Sequence, residues 1–493
     1  MASSRVRHRI VRTASGAALA VALLLAGLAT AGPAAAEPVG PIRHVPGATP
    51  VKDSYLVIVK DGAVADTAGA LTRRHGGAVK AVWQHAVRGF AVSMTTDQAT
   101  RVAADPRVSF VQQDSVVSAL DTQTPTPSWG LDRVDQRHRQ LDGRYTYPAT
   151  TPAVSVYVID TGVRLSHVNF LGRQVAWGTN TLDANNTDCR GHGTHVAGTA
   201  GGTVHGVAKN VRLVAVKVLG CDGSGTSASV VSGVNWVTAN AARPAVANMS
   251  LGSRGGDPAI DAAVRGSIQA GITYVVSAGN DNADACGTSP GRVAEAVTVA
   301  ATDINDIRSG FSNFGPCVDF FAPGTGIVSG WHTGDLATAP LDGTSMAAPH
   351  VTGAVATYLT VNPGATPDNV QAALAAASTP WKVVNSGAGT PNNLLHVPPL
   401  GSTVIVRYPG DLISIIGDQV NMRLSVFGGT GSYTWSASGL PTGVTIDPST
   451  GVISGRLGAT PGGATMTTVA ASGGGVGSVT FRWQVTRDIC PTC

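Results

Sequence analysis

The chain has 493 residues, with 34 Lys and Arg against 30 Asp and Glu and a formal charge of +4. That length exceeds a single compact domain and calls for about two to four. Charged residues make up only 13% while glycines number 61; this suits a tightly packed protein rather than a disordered one, and the small net charge gives no footing for nucleic acid or an anionic membrane.

The N-terminus carries most of that charge. Arg5, Arg7, Arg9 and Arg12 precede an apolar run from about Ala17 to Ala31, and Ala34-Ala35-Ala36 supplies an A-x-A cleavage pattern before Glu37. Residues 1–36 therefore read as an export signal, and without them the charge is close to zero. The run is short for a membrane span, and no later segment offers about 18 uninterrupted apolar residues. The expected product is soluble, secreted to the extracellular space and monomeric, in a compartment that permits disulfides.

Residues from about 37 to 51 are rich in Pro and Gly and read as a linker. An α+β pattern follows from Ser54 to about Leu120: strands at Tyr55–Val59, Gly89–Met94 and Val108–Val111, with helices at Ala63–His75 and Asp97–Ala104. Pro125 and Pro127 interrupt the chain. From about 129 to 398 strands alternate with helical patterns. Apolar runs at Val154–Ile159, Arg212–Val218, Val246–Ser250, Thr273–Ser277 and Ala296–Ala300 read as buried strands, with helices at Ser227–Ala241 and Pro258–Ala270 among them. That alternation implies a mainly parallel sheet with helices on both faces, whose sites lie at the carboxyl ends of strands. After Pro398-Pro399 the helical period disappears, and about seven short strands between 402 and 487 predict an all-β sandwich.

The stretch Gly343-Thr344-Ser345-Met346-Ala347-Ala348-Pro349-His350 puts a serine where a helix begins. A hydroxyl there sits beside unpaired N–H groups and the positive end of the helix dipole, a good address for a nucleophile. By itself the pattern favours a helix N-cap. A nucleophilic serine needs a base, and the base needs an orienting carboxylate. The first buried strand runs into Asp160-Thr161-Gly162, which by itself is also a common turn. Gly191-His192-Gly193-Thr194-His195 supplies a histidine between glycines, and the small residues after it would let a helix pack closely on the sheet. No carboxylate or cysteine completes a metal site with His192 and His195 at helical spacing, so no catalytic metal is expected. Ser277-Ala278-Gly279-Asn280 follows another buried strand, and its asparagine amide is a neutral donor suited to an oxyanion.

Asp160, His192, Asn280 and Ser345, each in its own motif and in this order, resemble the subtilisin-like serine protease family. The segment Trp129-Gly130-Leu131-Asp132-Arg133-Val134-Asp135-Gln136-Arg137 is similar to the mature N-terminus of the aqualysin and proteinase K branch. The resemblance runs from 129 to 398. It implies a serine endopeptidase: Ser345 attacks a peptide carbonyl, His192 moves the proton, Asp160 orients the imidazole, and Asn280 with the Ser345 N–H holds the oxyanion. The substrate would lie extended between Gly223-Ser224-Gly225 and Ser250-Leu251-Gly252. Its primary side chain would enter a pocket between Ser250-Leu251-Gly252 and Ser277-Ala278-Gly279. No charge stands in those segments, which implies broad specificity with apolar or aromatic preference.

The same resemblance implies pairing of Cys189 with Cys221 and of Cys286 with Cys317. It also implies structural calcium at two places: Asp319 with the carbonyls of Ala294 and Ala296, and Asp132, Asp135, Gln136 and Asp142. Asp132 and Asp135 also read as ordinary acids of a first helical turn. The 54–120 pattern resembles an inhibitor-type propeptide, expected to template folding, block the cleft with its C-terminal strand and be cut near Ala119–Thr122 by Ser345. The sequence Gly439-Leu440-Pro441 through Ile453-Ser454-Gly455 resembles immunoglobulin-like modules, which fits either attachment to an insoluble protein or a spacer. The expected division is signal peptide 1–36, propeptide 37–121, catalytic domain 122–398, sandwich 402–487 and a tail 488–493 holding Cys490 and Cys493, paired locally or between molecules. Two other readings remain: a non-catalytic binding protein on a protease scaffold, and a processing protease of narrow specificity.

Overall fold

The computed structural model describes residues 39–44, 50–60, 63–84, 88–115, 121–147, 153–397, 403–460 and 463–487. The export signal, Ala119 and Leu120 of the expected cleavage region and the Cys490/Cys493 tail lie outside the described residues.

The chain forms an N-terminal α+β unit, a large α/β unit and a C-terminal β-sandwich. In the first, five strands order as Ile42–Arg43, Val108–Ser115, Pro50–Val59, Gly89–Ser93 and Ala78–Trp83, with helices Val64–His75 and Thr96–Ala103. Alternate residues Tyr55, Val57 and Val59 meet Leu71 of one helix and Val102 of the other in its core. The second helix is closed by a capping box, in which Thr95 accepts from Gln98 N–H and the Gln98 side chain accepts from Thr95 N–H. Ala78–Trp83 was not legible as a strand, because nearly all of it is exposed at the sheet edge.

The α/β unit is built on a nine-stranded sheet. Its order is Thr379–Pro380, Asn393–Leu394, Phe320–Pro323, Val297–Thr302, Thr273–Ser277, Ala245–Met249, Ser155–Asp160, Arg212–Lys217 and Val175–Asn180. All neighbours are parallel except the first pair. Strand residues alternate between two cores. Val156, Val158, Val246 and Val275 join the helices His192–Gly201 and Thr344–Val361 on one face. Tyr157, Ile159, Ala247 and Val276 join Ser227–Asn240 and Pro258–Gln269 on the other. Both faces are covered, as the sequence pattern predicts.

Ser155–Asp160 sits where the strand order reverses: the chain passes to one side of it through Arg212–Lys217 and then to the other through Ala245–Met249. A crevice opens at the carboxyl ends of strands at such a point. Helix His192–Gly201 approaches this place closely. A Cβ at Gly193 would come 2.1 Å from the Gly162 carbonyl oxygen, so only glycine fits.

The sandwich has nine strands rather than seven, in groups of four, three and two. The two the sequence hid, Leu412–Ile415 and Val426–Gly428, are short and only half buried. The sandwich docks on the α/β unit: Ile405 and Phe427 enter the core of that unit, and the Arg137 guanidinium lies 4.3 Å over the Tyr408 ring. Asp411 lies 3.7 Å from His138 and 3.8 Å from Lys382 across the same junction. Among the described residues no helix is long and apolar enough to cross a membrane.

Candidate active site

The buried strand ends on Asp160, which is fully buried. Its Oδ1 accepts from the Thr161 N–H (2.7 Å) and from His192 Nδ1 (2.7 Å), while Oδ2 is buried without a partner. A carboxylate accepts only, so His192 donates from Nδ1 and leaves Nε2 as the free ring nitrogen. Burial pulls the imidazole pKa down; the charge of Asp160 and its hydrogen bond outweigh burial, and the pKa ends above the ordinary histidine range. The His192 side chain keeps 25% of its exposure, toward the cleft.

Asp188 fixes the start of the helix that carries His192, a role with no local signal in the sequence. It is 4% exposed. Its Oδ1 accepts from Thr161 Oγ1 (2.9 Å), Arg190 N–H (3.1 Å) and Gly191 N–H (2.8 Å). Its Oδ2 accepts from Thr194 N–H (2.9 Å) and Thr194 Oγ1 (2.5 Å). One carboxylate thus ties the Asp160 turn to the first turn of the helix.

Ser345 is not the helix cap that its sequence allows. Gly343 holds that position with φ +153°, and Ser345 is the second residue inside the helix. Its Oγ donates to the Ser250 carbonyl (3.1 Å), while Ser250 Oγ donates to the Ser345 carbonyl (2.8 Å). This reciprocal pair locks the serine to the end of the Ala245–Met249 strand.

Asn280 is oriented from the same helix start. Its Oδ1 accepts from Thr344 N–H (2.9 Å) and Thr344 Oγ1 (2.8 Å), so its amide nitrogen points elsewhere. A Cβ at Gly343 would lie 3.5 Å from both Asn280 Nδ2 and Ser345 N. Two donors therefore face one small space that the absence of a side chain at Gly343 keeps open. Buried Asn313 braces the Asn280 loop: its Nδ2 donates to Ala278 O (2.9 Å) and its Oδ1 accepts from the N–H of Asp281 and Ala283 (3.0 Å each).

A cleft of about 490 Å³ opens beside His192. Gly223, Ser224, Gly225, Ser250, Leu251 and Gly252 all line it, together with Val230 and Ile260. Ser277, Ala278 and Gly279 are not brought into this lining; Ala278 is fully buried, and the Gly279 N–H donates to Thr344 Oγ1 (3.2 Å). Two charged residues that the sequence reading did not include, Arg190 and Asp222, stand on the rim. Among the described residues the lining comes only from the α/β unit: the last propeptide strand, Val108–Ser115, is not part of it, and residues 116–120 that follow lie outside the described ones.

The structure pairs Cys189 with Cys221 and Cys286 with Cys317, with Cα–Cα distances of 5.0 and 5.3 Å. The first bridge joins the segment before His192 to the cleft edge.

At the two expected cation places the surroundings differ. Asp135 Oδ1 is buried without a partner, and burial with the nearby charges of Asp142 and Asp132 pushes its pKa up to about 7. Gln136 Nε2 donates to both Asp132 Oδ1 (2.6 Å) and Asp142 Oδ1 (3.0 Å). Asp319 already has a donor on each oxygen, Thr298 N–H (2.8 Å) and Gln371 Nε2 (2.7 Å), and burial pushes its pKa up to about 6. As placed, no three acidic, His or Cys side chains among the described residues form a ligand cluster.

Residues 151–395 match the model of the subtilase family, 60–120 that of the peptidase inhibitor I9 family, and 400–486 that of an Ig domain. An extracellular serine proteinase of Thermus sp. (strain Rt41A) is 45% identical over 66% of this chain and 78% of its own. A cuticle-degrading serine protease of Arthrobotrys oligospora is 38% identical over 76% of this chain and 97% of its own. The chain belongs to the subtilase family. It is a subtilisin-like serine protease preceded by an inhibitor I9-type propeptide and followed by an Ig-like sandwich. An alkaline serine exoprotease A of Vibrio alginolyticus is 46% identical over 64% of this subtilase, which spans 60% of that protein. The crystal structure of a cold adapted subtilisin-like serine proteinase superposes with a TM-score of 0.53 and 50% identity, covering 56% of this chain and 99% of its own.

Proposed function

We propose that this subtilase hydrolyses peptide bonds with Ser345 as nucleophile, His192 as general base and acid, and Asp160 as the group that orients and charge-balances the imidazole. The observation that carries this is the 2.7 Å bond from His192 Nδ1 to a fully buried carboxylate, which leaves Nε2 free beside the cleft. Rotation of Ser345 Oγ away from the Ser250 carbonyl gives Nε2 its proton as the oxygen attacks. The negative oxygen of the tetrahedral intermediate then enters the space before Gly343, where Asn280 Nδ2 and the Ser345 N–H donate to it. His192 returns the proton to the departing amine, and water hydrolyses the acyl-enzyme by the same route. A serine-directed fluoride should label Ser345 at the rate at which peptidase activity is lost, and Ser345→Ala should lower turnover by about a millionfold. Full activity in that variant would refute the assignment.

The substrate runs between Gly223–Gly225 and Ser250–Gly252, its scissile side chain entering the apolar ground behind Leu251 and before Ser277–Gly279. The protein is exported by residues 1–36 and made as a zymogen. Its propeptide inhibits the cleft through the segment that ends near Ala119–Thr122 and is removed by Ser345 itself. Calcium fits the place of Asp132, Asp135, Gln136 and Asp142 best: Asp135 presents a buried oxygen without a partner, among carboxylates whose mutual repulsion a cation would relieve. Its contribution there is structural. The Asp319 place fits a cation less well as it stands, because both of its oxygens already accept a hydrogen bond, from Gln371 Nε2 and Thr298 N–H, and neither is left without a partner as Asp135 Oδ1 is.

A further inference from the structure

Arg190 and Asp222 stand on the rim of the cleft, and the triad uses neither. Each follows one half of the Cys189–Cys221 disulfide in sequence, so the bridge holds both charged positions on one lip. Their situations are opposite. Asp222 is spent inside its own loop: Oδ1 accepts from Ser224 N–H (3.0 Å) and Oδ2 from Ser224 Oγ (2.5 Å). Arg190 is held by its backbone, whose N–H donates to Asp188. Its side chain then crosses the face of Gly223. A Cβ on that glycine would lie 3.4 Å from Arg190 Nε, 3.9 Å from Cδ and 4.0 Å from Cγ. Gly223 has φ +83°, a backbone that favours glycine, and the stem of Arg190 lies in contact with it. Among the described residues the guanidinium has no carboxylate or carbonyl partner. A cation without a hydrogen-bonded carboxylate therefore lies over the edge where a substrate strand is bound, two residues from His192, with the charge of Asp222 acting on it across the same lip.

We propose that Arg190 is a specificity-determining residue that favours substrates carrying Asp or Glu immediately N-terminal to the residue whose carbonyl is attacked. This rests on the triad reading, which puts the attacked carbonyl at Ser345 and runs the chain back between His192 and Gly223. The side chain preceding the scissile residue then passes the Arg190 guanidinium. A planar fork of donors meets a carboxylate with two parallel hydrogen bonds. An exposed pair of this kind gives about a two- to fivefold preference, and partial cover by the bound strand extends that toward about tenfold. Val230, Leu251 and Ile260 supply apolar lining to the same cleft.

The test compares two peptides that differ only by Glu against Gln at that position, cleaved by the processed enzyme. The wild-type ratio of kcat/KM, Glu over Gln, should exceed two and shrink in high salt. It should stay above one in Arg190→Lys, fall to about one in Arg190→Gln and drop below one in Arg190→Glu. A wild-type ratio at or below one, or one that the substitutions leave unchanged, overturns the proposal; so does a Glu preference found only at another peptide position. Ser345→Ala, run alongside, separates the two claims. Cleavage that survives in it overturns the triad reading, whatever the ratio.

Discussion

Asn280 offers the sharpest test of the catalytic geometry, because its two ends do different work. Its Oδ1 takes two hydrogen bonds from Thr344, at 2.9 and 2.8 Å, and its Nδ2 faces the space before Gly343. Asn280→Ala removes both ends. Loss of an oxyanion donor in a subtilisin costs about 3–4 kcal/mol of transition-state stabilisation, or about 10²–10³ in turnover. Loss of the acceptor costs about 1 kcal/mol per bond in the stability of the helix start. Thr344→Val dissects them: it keeps the amide donor and removes one of the two bonds that aim it. The expected series is a fall in kcat of about 10²–10³ with KM nearly unchanged for Asn280→Ala, and about three- to tenfold for Thr344→Val. The assay is steady-state hydrolysis of a chromogenic peptide, with thermal unfolding to confirm that both variants fold. A kcat for Asn280→Ala within about threefold of wild type would refute the oxyanion role.

Three other outcomes follow from the same geometry. Ser345→Ala should keep its propeptide, seen as an unprocessed band on a gel; normal processing would mean that another protease cuts it. The acid limb of kcat/KM reports His192, which must be neutral to accept a proton. Because Asp160 raises its pKa, the limb should lie above the ordinary value of about 6.5, activity falling as pH drops through it, and Asp160→Asn should move it lower while reducing kcat. Chelation should lower the melting temperature of the processed enzyme. Asp135→Asn should shrink that calcium-dependent shift and leave the chelated protein no less stable, since it removes a buried charge; an equal shift in both proteins would remove calcium from this place.

The candidate site was legible because each group proposed for catalysis stands in a short motif at the end of a regular element. Asp160 closes an unbroken apolar strand, His192 opens a helix of small residues, and Asn280 follows another strand. The identity of the cap before Ser345 was not legible. A serine before an apolar helical run fits a cap, but the position belongs to Gly343, whose φ of +153° a side chain would resist. Asn313 gave no local signal either, since its work is to accept and donate across a turn distant in sequence. Val175–Asn180 escaped detection because all six residues are half buried at the sheet edge and show no alternation. The charged rim was missed for a related reason: Arg190 reaches the cleft only because the Cys189–Cys221 bridge and Asp188 bring its loop there.

Asp188 is the element whose importance the fold adds most clearly. Its two oxygens take five hydrogen bonds, and every partner is a donor: Thr161 Oγ1, Arg190 N–H, Gly191 N–H, and the N–H and hydroxyl of Thr194. An amide is nearly isosteric but cannot replace it, because one of its two ends must donate. In Asp188→Asn either Thr161, Arg190 and Gly191 or Thr194 would meet an NH₂ group. Two or three charge-assisted bonds would be lost around a buried donor-donor contact, at about 2–4 kcal/mol. For a domain of this size that is about 5–15 °C in melting temperature. The loss also frees the first helical turn, which aims His192 at Asp160 and Ser345, so kcat should fall about tenfold or more, and the acid limb should move down, though less than in Asp160→Asn, because the Asp188 charge that helps raise the imidazole pKa is gone while Asp160 still faces it. Asp188→Glu keeps two acceptors and should recover part of both losses if its longer arm can be seated. Wild-type kcat and melting temperature in Asp188→Asn would show that the helix start is held by the Cys189–Cys221 bridge and the packing of Gly193 alone.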